Sequence, residues 1–222
     1  MRNWIKGNRG FLVFLLLFGL FRTAVADWNP IPSGSMRPNL LEGDVVFINR
    51  LAYNVKLPLT DIVLAHTAEP VRGDVVTFSS PLDGTRLIKR LVALPGDTVA
   101  MRDKVLIING QAARYEPLDA VLEPPGPAGV LRAQRMTETV AQGRRTVQWL
   151  AGVPARDTWG PVVIPEGQFL MLGDNRDNSA DSRYIGLVPR ALLIGRAERV
   201  LVSADILAHW QPRLERFGRS LY

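Results

Sequence analysis

The chain has 222 residues, 47% of them hydrophobic and 22% charged, which suffices for one buried core with embellishments and excludes a disordered or repetitive protein. It has no cysteine, which removes disulfide frameworks, thiol nucleophiles and cysteine metal sites while leaving the compartment open. The 27 Lys and Arg against 21 Asp and Glu give a charge of +6, but the basic residues are spread along the chain with no dense tract of interleaved aromatics, so no nucleic-acid partner is expected.

Residues 1–26 form the first element. Arg2, Lys6 and Arg9 precede the apolar run GFLVFLLLFGLF, and Arg22 leads into TAVA before Asp27. The run has the length of a signal-peptide core, and Ala24-Val25-Ala26 has the small-x-small pattern of a cleavage site. Counted from Gly10 to Ala26 with Arg22 snorkelling, the same segment serves as a retained anchor with its basic flank on the cytoplasmic side. Both readings export the remainder of the chain.

Beyond Pro30, short β-type runs alternate with turn residues, and 16 prolines and 19 glycines favour short strands over long helices. GDVVFINR (43–50), RGDVVTFSS (72–80), RLIKRLVAL (86–94) and VLIINGQ (105–111) read as strands. Pro95-Gly96-Asp97, Arg102-Asp103 and Asn109-Gly110 supply turns, so 71–111 is expected to be an antiparallel meander. Residues 112–160, with EPPGPAG at 123–129, read as an inserted loop or ribbon in which TVQWL is a possible strand. The pattern resumes with VVIPEGQFLML (162–172) and LLIGRAERVLV (192–202), and 204–222 is expected to be a short amphipathic helix or a frayed tail. The division expected is 1–26 anchor or signal-like segment, 27–111 with 161–203 catalytic β core, 112–160 insertion and 204–222 tail.

Three constellations could carry chemistry. In Ile31-Pro32-Ser33-Gly34-Ser35-Met36-Arg37-Pro38, two serines flank a glycine in a proline-bounded turn, which suits either an exposed nucleophile or an ordinary linker. Of four lysines only Lys89 lies inside a strand, where Leu87 and Leu91 share its face and Ile88, Arg90 and Val92 share the other. Burial there would lower its pKa and make it a base, whereas an edge position would let it snorkel to water. His66 and His209, the two histidines, fall in loop-like segments and suit the surface better than a catalytic triad. The third constellation is Gly173-Asp174-Asn175-Arg176-Asp177-Asn178-Ser179-Ala180-Asp181-Ser182-Arg183. Counted from Asp177 as an EF-hand loop, its sixth position is Ser182 and its twelfth Val188, which argues against calcium and for a self-bonded loop. Asp174 and Asp177 lack the second motif that an aspartyl or glycosidase dyad requires.

Taken together and in order, PSGSMRP, RGDVVTF, RLIKRLVALPGD and GDNRDNSADSR resemble the signature boxes of bacterial type I signal peptidases, across about 30–111 and 161–200. The resemblance implies a mostly β, signal-peptidase-type antiparallel core with an inserted ribbon and an N-terminal apolar anchor helix. It also implies Ser35 as nucleophile, Lys89 as general base, Ser33 and the Ser35 N–H as oxyanion donors, and Ser179 as the residue orienting the lysine. Arg90, Asp181 and Arg183 match structural positions near the site, and Ile31, Pro32, Met36, Leu40 and Ile88 match substrate-binding ones. Leu87 stands where an aromatic is frequent in the family, and Asn39 where threonine is common. No metal or other cofactor is implied. The implied partners are exported precursors with signal peptides and membrane lipid. The implied location is the bacterial inner membrane, single-pass, with the catalytic part on the outer side. Rival readings are a peptidase dedicated to one precursor and an anchored β-domain that performs no chemistry. A self-cleaving repressor is excluded because no DNA-binding domain fits before Ser35. The AVA sequence before Asp27 also raises slow cleavage of the enzyme's own anchor.

Overall fold

The structure is a computed structural model in which residues 4, 7–60, 62–124, 129–141 and 143–222 are described. Helix α1 (Arg9–Ala24) leads into β1 (Ala26–Pro30), and a single 3-10 turn at Gly34–Met36 precedes β2 (Asp44–Asn49). A small hairpin of β3 (Asn54–Lys56) and β4 (Val63–His66) is followed by β5 (Val75–Ser79) and β6 (Arg86–Ala93). Then come β7 (Thr98–Arg102), β8 (Val105–Ile108), β9 (Gln111–Ala112), β10 (Arg114–Leu122), β11 (Arg132–Val140) and β12 (Gly143–Leu150). The chain closes with β13 (Trp159–Val163), β14 (Gln168–Leu172), the one-turn helix α2 (Ser182–Ile185), β15 (Val188–Pro189) and β16 (Leu193–Ser203).

The main sheet has seven strands in the order β1-β2-β16-β5-β6-β14-β15, with antiparallel pairs throughout. Alternation places β2 as expected: Asp44, Val46 and Ile48 are buried while Val45, Phe47 and Asn49 are half-buried. The meander expected over 71–111 divides between two sheets. β5 and β6 stay in the main sheet, and after the Pro95-Gly96-Asp97 turn β7, β8 and β9 form a four-stranded sheet with β13. The turn expected at Asn109-Gly110 falls where the sequence put it, and the one expected at Arg102-Asp103 lies one residue later, since Arg102 still pairs with Val105. Asp103 and Lys104 (φ 47° and 70°) join β7 to β8, and Asn109 and Gly110 (φ 52° and 77°) join β8 to β9, both residues of each pair in the left-handed region that such two-residue hairpins need. The insertion forms a three-stranded antiparallel sheet, β10-β11-β12, with TVQWL inside β12; residues 125–128 of the EPPGPAG segment lie outside the described residues.

The tail corrects its expectation. Residues 204–222 are neither an amphipathic α-helix nor frayed, but fold back along β16 through Val200 N to Arg219 O (2.9 Å) and Gly218 N to Val200 O (2.8 Å). Buried Arg216 reaches Asp44 Oδ1 at 2.9 Å, and the Tyr222 hydroxyl accepts from Val75 N and donates to Ala197 O.

None of the residues of α1 is buried, and Phe11, Phe14, Leu16 and Leu17 are each more than half exposed. Its last turn meets the sheet where the Phe18 ring packs 5.9 Å from Trp28 and Arg22 Nε lies 2.9 Å from Asp27. Among the described residues no helix is long and apolar enough to cross a membrane. Arg2 and Lys6 of the basic flank lie outside the described residues. The AVA segment runs into β1: Arg50 N donates to Val25 O at 3.0 Å, and buried Ala26 pairs with Asn49.

Candidate active site

The Ser33–Arg37 turn is held by close packing on both sides. Ser33 is extended, Gly34–Met36 make one 3-10 turn, and Arg37 is again extended before Pro38, as the residue before a proline must be. A Cβ on Gly34 would stand 2.9 Å from Glu42 Oε1, so glycine is what lets Arg37 lie over the turn with Nε 2.8 Å from Glu42 and Nη1 2.6 Å from Glu123. Below it, Met36 and Leu40 are fully buried against Ile31, Val46, Ile48 and Val75.

Lys89 comes from β6, opposite Val76 on β5. Its strand neighbours alternate as expected: Leu87 and Leu91 pack in one core cluster with Val76, and Ile88 packs in another. Only 3% of Lys89 is exposed, and its Nζ lies 2.6 Å from Ser35 Oγ. Burial lowers the ammonium pKa to about 8, against the carboxylates of Asp181 and Asp174, which pull it up. Ser35 is buried, whereas Ser33 is exposed with its hydroxyl 3.5 Å from Ser35 Oγ.

The polar loop after β14 clamps this pair. Asn175 N donates to Ser35 O at 3.1 Å, and Asn175 Nδ2 donates to Gly34 O at 3.0 Å. Arg90 grips Asp174 with two bonds (2.9 and 2.8 Å), and Arg183 grips Asp181 likewise (both 2.8 Å), while Asp181 also accepts from Gly173 N. Asp177 accepts from Lys104 and from Leu150 N. The carboxylates that raised the question of a cation are therefore each engaged with a basic side chain. Ser179 does not bond Lys89: its hydroxyl is buried with no hydrogen-bond partner among the described residues, and it stands beside Gly173. A Cβ on Gly173 would meet Ser179 Oγ at 2.2 Å and Ser35 O at 2.6 Å, so only glycine lets the loop approach the serine backbone.

Ile31, Pro32 and Ile88 line a cleft of about 330 Å³ together with Trp28, Pro30 and Leu87. Met36 and Leu40 do not line it; they lie in the core beneath the turn.

A profile described as signal peptidase, peptidase S26 matches residues 1–202. The chain belongs to the signal peptidase family. It is 33% identical to signal peptidase I of Pseudomonas fluorescens over 96% of this chain and 78% of that one. It is 34% identical to that of Pseudomonas aeruginosa (90% and 72%) and 33% to that of Rickettsia typhi (91% and 82%). The crystal structure of a signal peptidase I from Enterococcus faecalis V583 is 32% identical, covering 58% of this chain and 97% of its own, with a TM-score of 0.35. This signal peptidase is thus a serine endopeptidase whose substrates are precursor proteins bearing signal peptides.

Several residues of the peptidase's site fell inside the constellations read from sequence but were given no role there. Gly34 and Gly173 act through close approach, Asn175 through the Gly34 and Ser35 carbonyls and Asp174 through its bonds to Arg90, and the last two with Gly173 stand at the head of the same polar box that supplied Ser179, Asp181 and Arg183. The insertion also contributes. Glu123 takes Arg37 and the Gln148 amide, Thr146 O takes Asn39 Nδ2, and Gln148 exchanges backbone bonds with Asp174 and Arg176. Behind these contacts, fully buried Glu138 sits between Arg145 and Arg176 with the Tyr115 hydroxyl at 2.7 Å. Burial pushes Glu138 up, but Arg176 and Arg145 hold it at about 2, a charged strut joining the insertion to the catalytic loop.

Proposed function

We propose that Ser35 is the nucleophile and Lys89 the general base of signal-peptide cleavage. The observation that carries this reading is the 2.6 Å separation of Lys89 Nζ from Ser35 Oγ in a buried setting where the amine's pKa falls to about 8. In the neutral form Lys89 takes the Ser35 proton as Oγ attacks the carbonyl that follows a small-x-small motif. The Ser35 N–H and the Ser33 hydroxyl donate to the developing oxyanion. The Lys89 ammonium then returns its proton to the leaving amine, and the neutral amine next deprotonates the water that resolves the acyl-enzyme. Ser179, with an unpartnered buried hydroxyl next to Gly173, is available to orient the lysine when substrate closes the cleft. Arg90, Asp181 and Arg183 hold the catalytic loop. Ile31, Pro32 and Ile88 bound the substrate cleft, while Met36 and Leu40 fix its floor from the core.

The same reading takes α1 as a single-pass anchor in the bacterial inner membrane, with the catalytic part on the outer side and lipid as its partner. An apolar helix that buries nothing against protein needs another apolar surround. Its 16 residues make about 24 Å. Precursor cleavage by wild type beside Ser35→Ala and Lys89→Ala tests the dyad, with circular dichroism reporting that all three fold. Each variant is expected to lose at least about a thousandfold in kcat/KM. A folded Lys89→Ala enzyme that cleaves within tenfold of wild type would overturn the assignment.

A further inference from the structure

The cleft of about 330 Å³ has two unlike ends. Near the serine turn it is apolar, with Ile31, Pro32, Leu87 and Ile88, and at its other end stand Arg22 and Arg86. None of the described residues that line it is acidic. We propose that Arg86 is a specificity-determining residue that selects precursors carrying an acidic side chain just upstream of the small-x-small motif.

The strand edges set the path of a peptide. Among the described residues β1 pairs with β2 alone, and β14 joins β6 only from Arg90 onward, so residues 86–89 keep one unpaired edge. The cleft lies between these two edges, with residues 28–30 of β1 on one side and 86–88 of β6 on the other. An extended peptide laid along them advances about 3.3 Å per residue, as a strand does. With the reacting carbonyl at Ser35, beside Lys89, the three residues of the motif cover the step from Lys89 to Arg86, about 10 Å along β6. The fourth or fifth residue upstream of the scissile bond then meets the guanidinium. The upstream direction is the one that leads to a precursor's apolar segment, and the arginine end of the cleft is the end at which α1 closes.

Arg86 is open to a ligand there. Its side chain is 49% exposed, and Nη1 alone is engaged, 3.2 Å from Asp27 and 3.3 Å from Asn29; Nε and Nη2 have no hydrogen-bond partner among the described residues. Asp27 is 7% exposed and does not line the cleft, so a peptide meets the guanidinium fork and not its counter-ion. Arg22 is fixed by Nε at 2.9 Å from Asp27 and by stacking 4.3 Å over Trp28, and adds its charge to the same end. An ion pair this exposed is worth up to about fivefold in affinity. Because the carboxylate lies away from the reacting carbonyl, the ground state and the transition state share the pair, and the preference falls on KM and not on kcat.

This selectivity rests on the cleft seating the substrate of the Ser35–Lys89 pair, and the test separates the two. Full-length, detergent-solubilised peptidase is given peptides that carry Glu, Gln or Lys at the fourth or the fifth position upstream of the scissile bond. At one of the two positions wild type should favour Glu over Gln about fivefold through KM with kcat level, and disfavour Lys by a similar factor. The spread should shrink as salt is raised to about 0.5 M. Arg86→Gln should bring the Glu-to-Gln ratio close to one, Arg86→Lys should keep most of it, and Arg86→Glu should put Lys ahead of Glu. Each ratio is taken within one enzyme, so a variant's loss of folded fraction or of overall rate cancels. A wild-type ratio close to one at both positions, or a preference that Arg86→Gln leaves intact, overturns the proposal; the catalytic reading still stands if wild type cuts the Gln peptide and Ser35→Ala does not. If wild type leaves the Gln peptide uncut, or Ser35→Ala cuts it equally well, the catalytic reading falls and the selectivity with it.

Discussion

If Lys89 must be neutral to act, its pKa of about 8 sets the acid limb of the reaction. The neutral fraction of such an amine is about 9% at pH 7, half at pH 8 and nearly complete by pH 10, so kcat/KM should rise about fivefold from pH 7 to 8 and only about twofold beyond. An unperturbed lysine at 10.5 would give a different curve, climbing about tenfold per pH unit to beyond pH 9. The assay is cleavage of a small-x-small peptide by detergent-solubilised enzyme across overlapping buffers, read as kcat/KM so that the free enzyme is reported. Stability carries the same signature with a definite sign. The unfolded chain holds the lysine proton up to about 10.5 and the folded chain releases it near 8, so between those values the unfolded state binds more protons and stability rises with pH. The rise attributable to Lys89 is about 3 kcal/mol, present in wild type and missing from Lys89→Met. A kcat/KM profile that is flat between pH 6.5 and 9, or one still climbing tenfold per unit at pH 9, would refute the reasoning.

Ser33→Ala should lower kcat by about two orders of magnitude with KM nearly unchanged, as expected when one oxyanion donor is lost; steady-state kinetics on a full precursor checks it. Arg90→Met leaves Asp174 buried with the Asn39 amide as the one remaining bond to its carboxylate among the described residues, and should cost about 3–5 kcal/mol in urea denaturation. In the same variant the uncompensated charge of Asp174 should move the acid limb of kcat/KM to higher pH. The bond between Ala26 and Asp27 should survive in folded enzyme despite the AVA sequence, because β1 holds it against β2 through Ala26 with Asn49 and Asp27 with Ile48. Intact mass after prolonged incubation checks this, and a product beginning at Asp27 would count against the protection.

Local rules made part of this legible. The strands follow from apolar alternation, and the hairpin at Asn109-Gly110 from residues that tolerate positive φ, since both signals lie within a few positions of what they specify, whereas Lys104 gives no such signal and the turn before it was read one residue early. Lys89 stood out because a strand interior is a poor place for an ammonium, yet only the family boxes tied it to Ser35, 54 residues away. What stayed hidden is long-range and aperiodic. Arg216 and Asp44 pair across 172 residues, Asn39 and Asp174 across 135, and Arg37 and Glu123 across 86. No period in a sequence encodes such partners, so the tail read as helix or frayed, and the insertion as a ribbon without a task. The division of the 71–111 meander was hidden for a related reason, since a Pro-Gly-Asp turn does not state which sheet the next strand joins.

The long-range pairs bear on the chemistry as well as on stability. A lysine near two buried carboxylates would ordinarily be held charged, and Asp181 and Asp174 do pull Lys89 in that direction. Each of them, however, is gripped in a two-bond ion pair, Asp181 by Arg183 of the same loop and Asp174 by Arg90 of β6, which offsets part of its field. Burial then wins, and the amine sits near neutrality. The loop thereby bears twice on the same pair: Asn175 holds the Gly34 and Ser35 carbonyls, and the ion pairs of Asp181 and Asp174 weaken their pull on the Lys89 proton. Since Gln148 and Glu123 of the insertion bond to the loop and to Arg37 of the serine turn, the three-stranded sheet of residues 114–150 braces both segments that flank the Ser35–Lys89 contact.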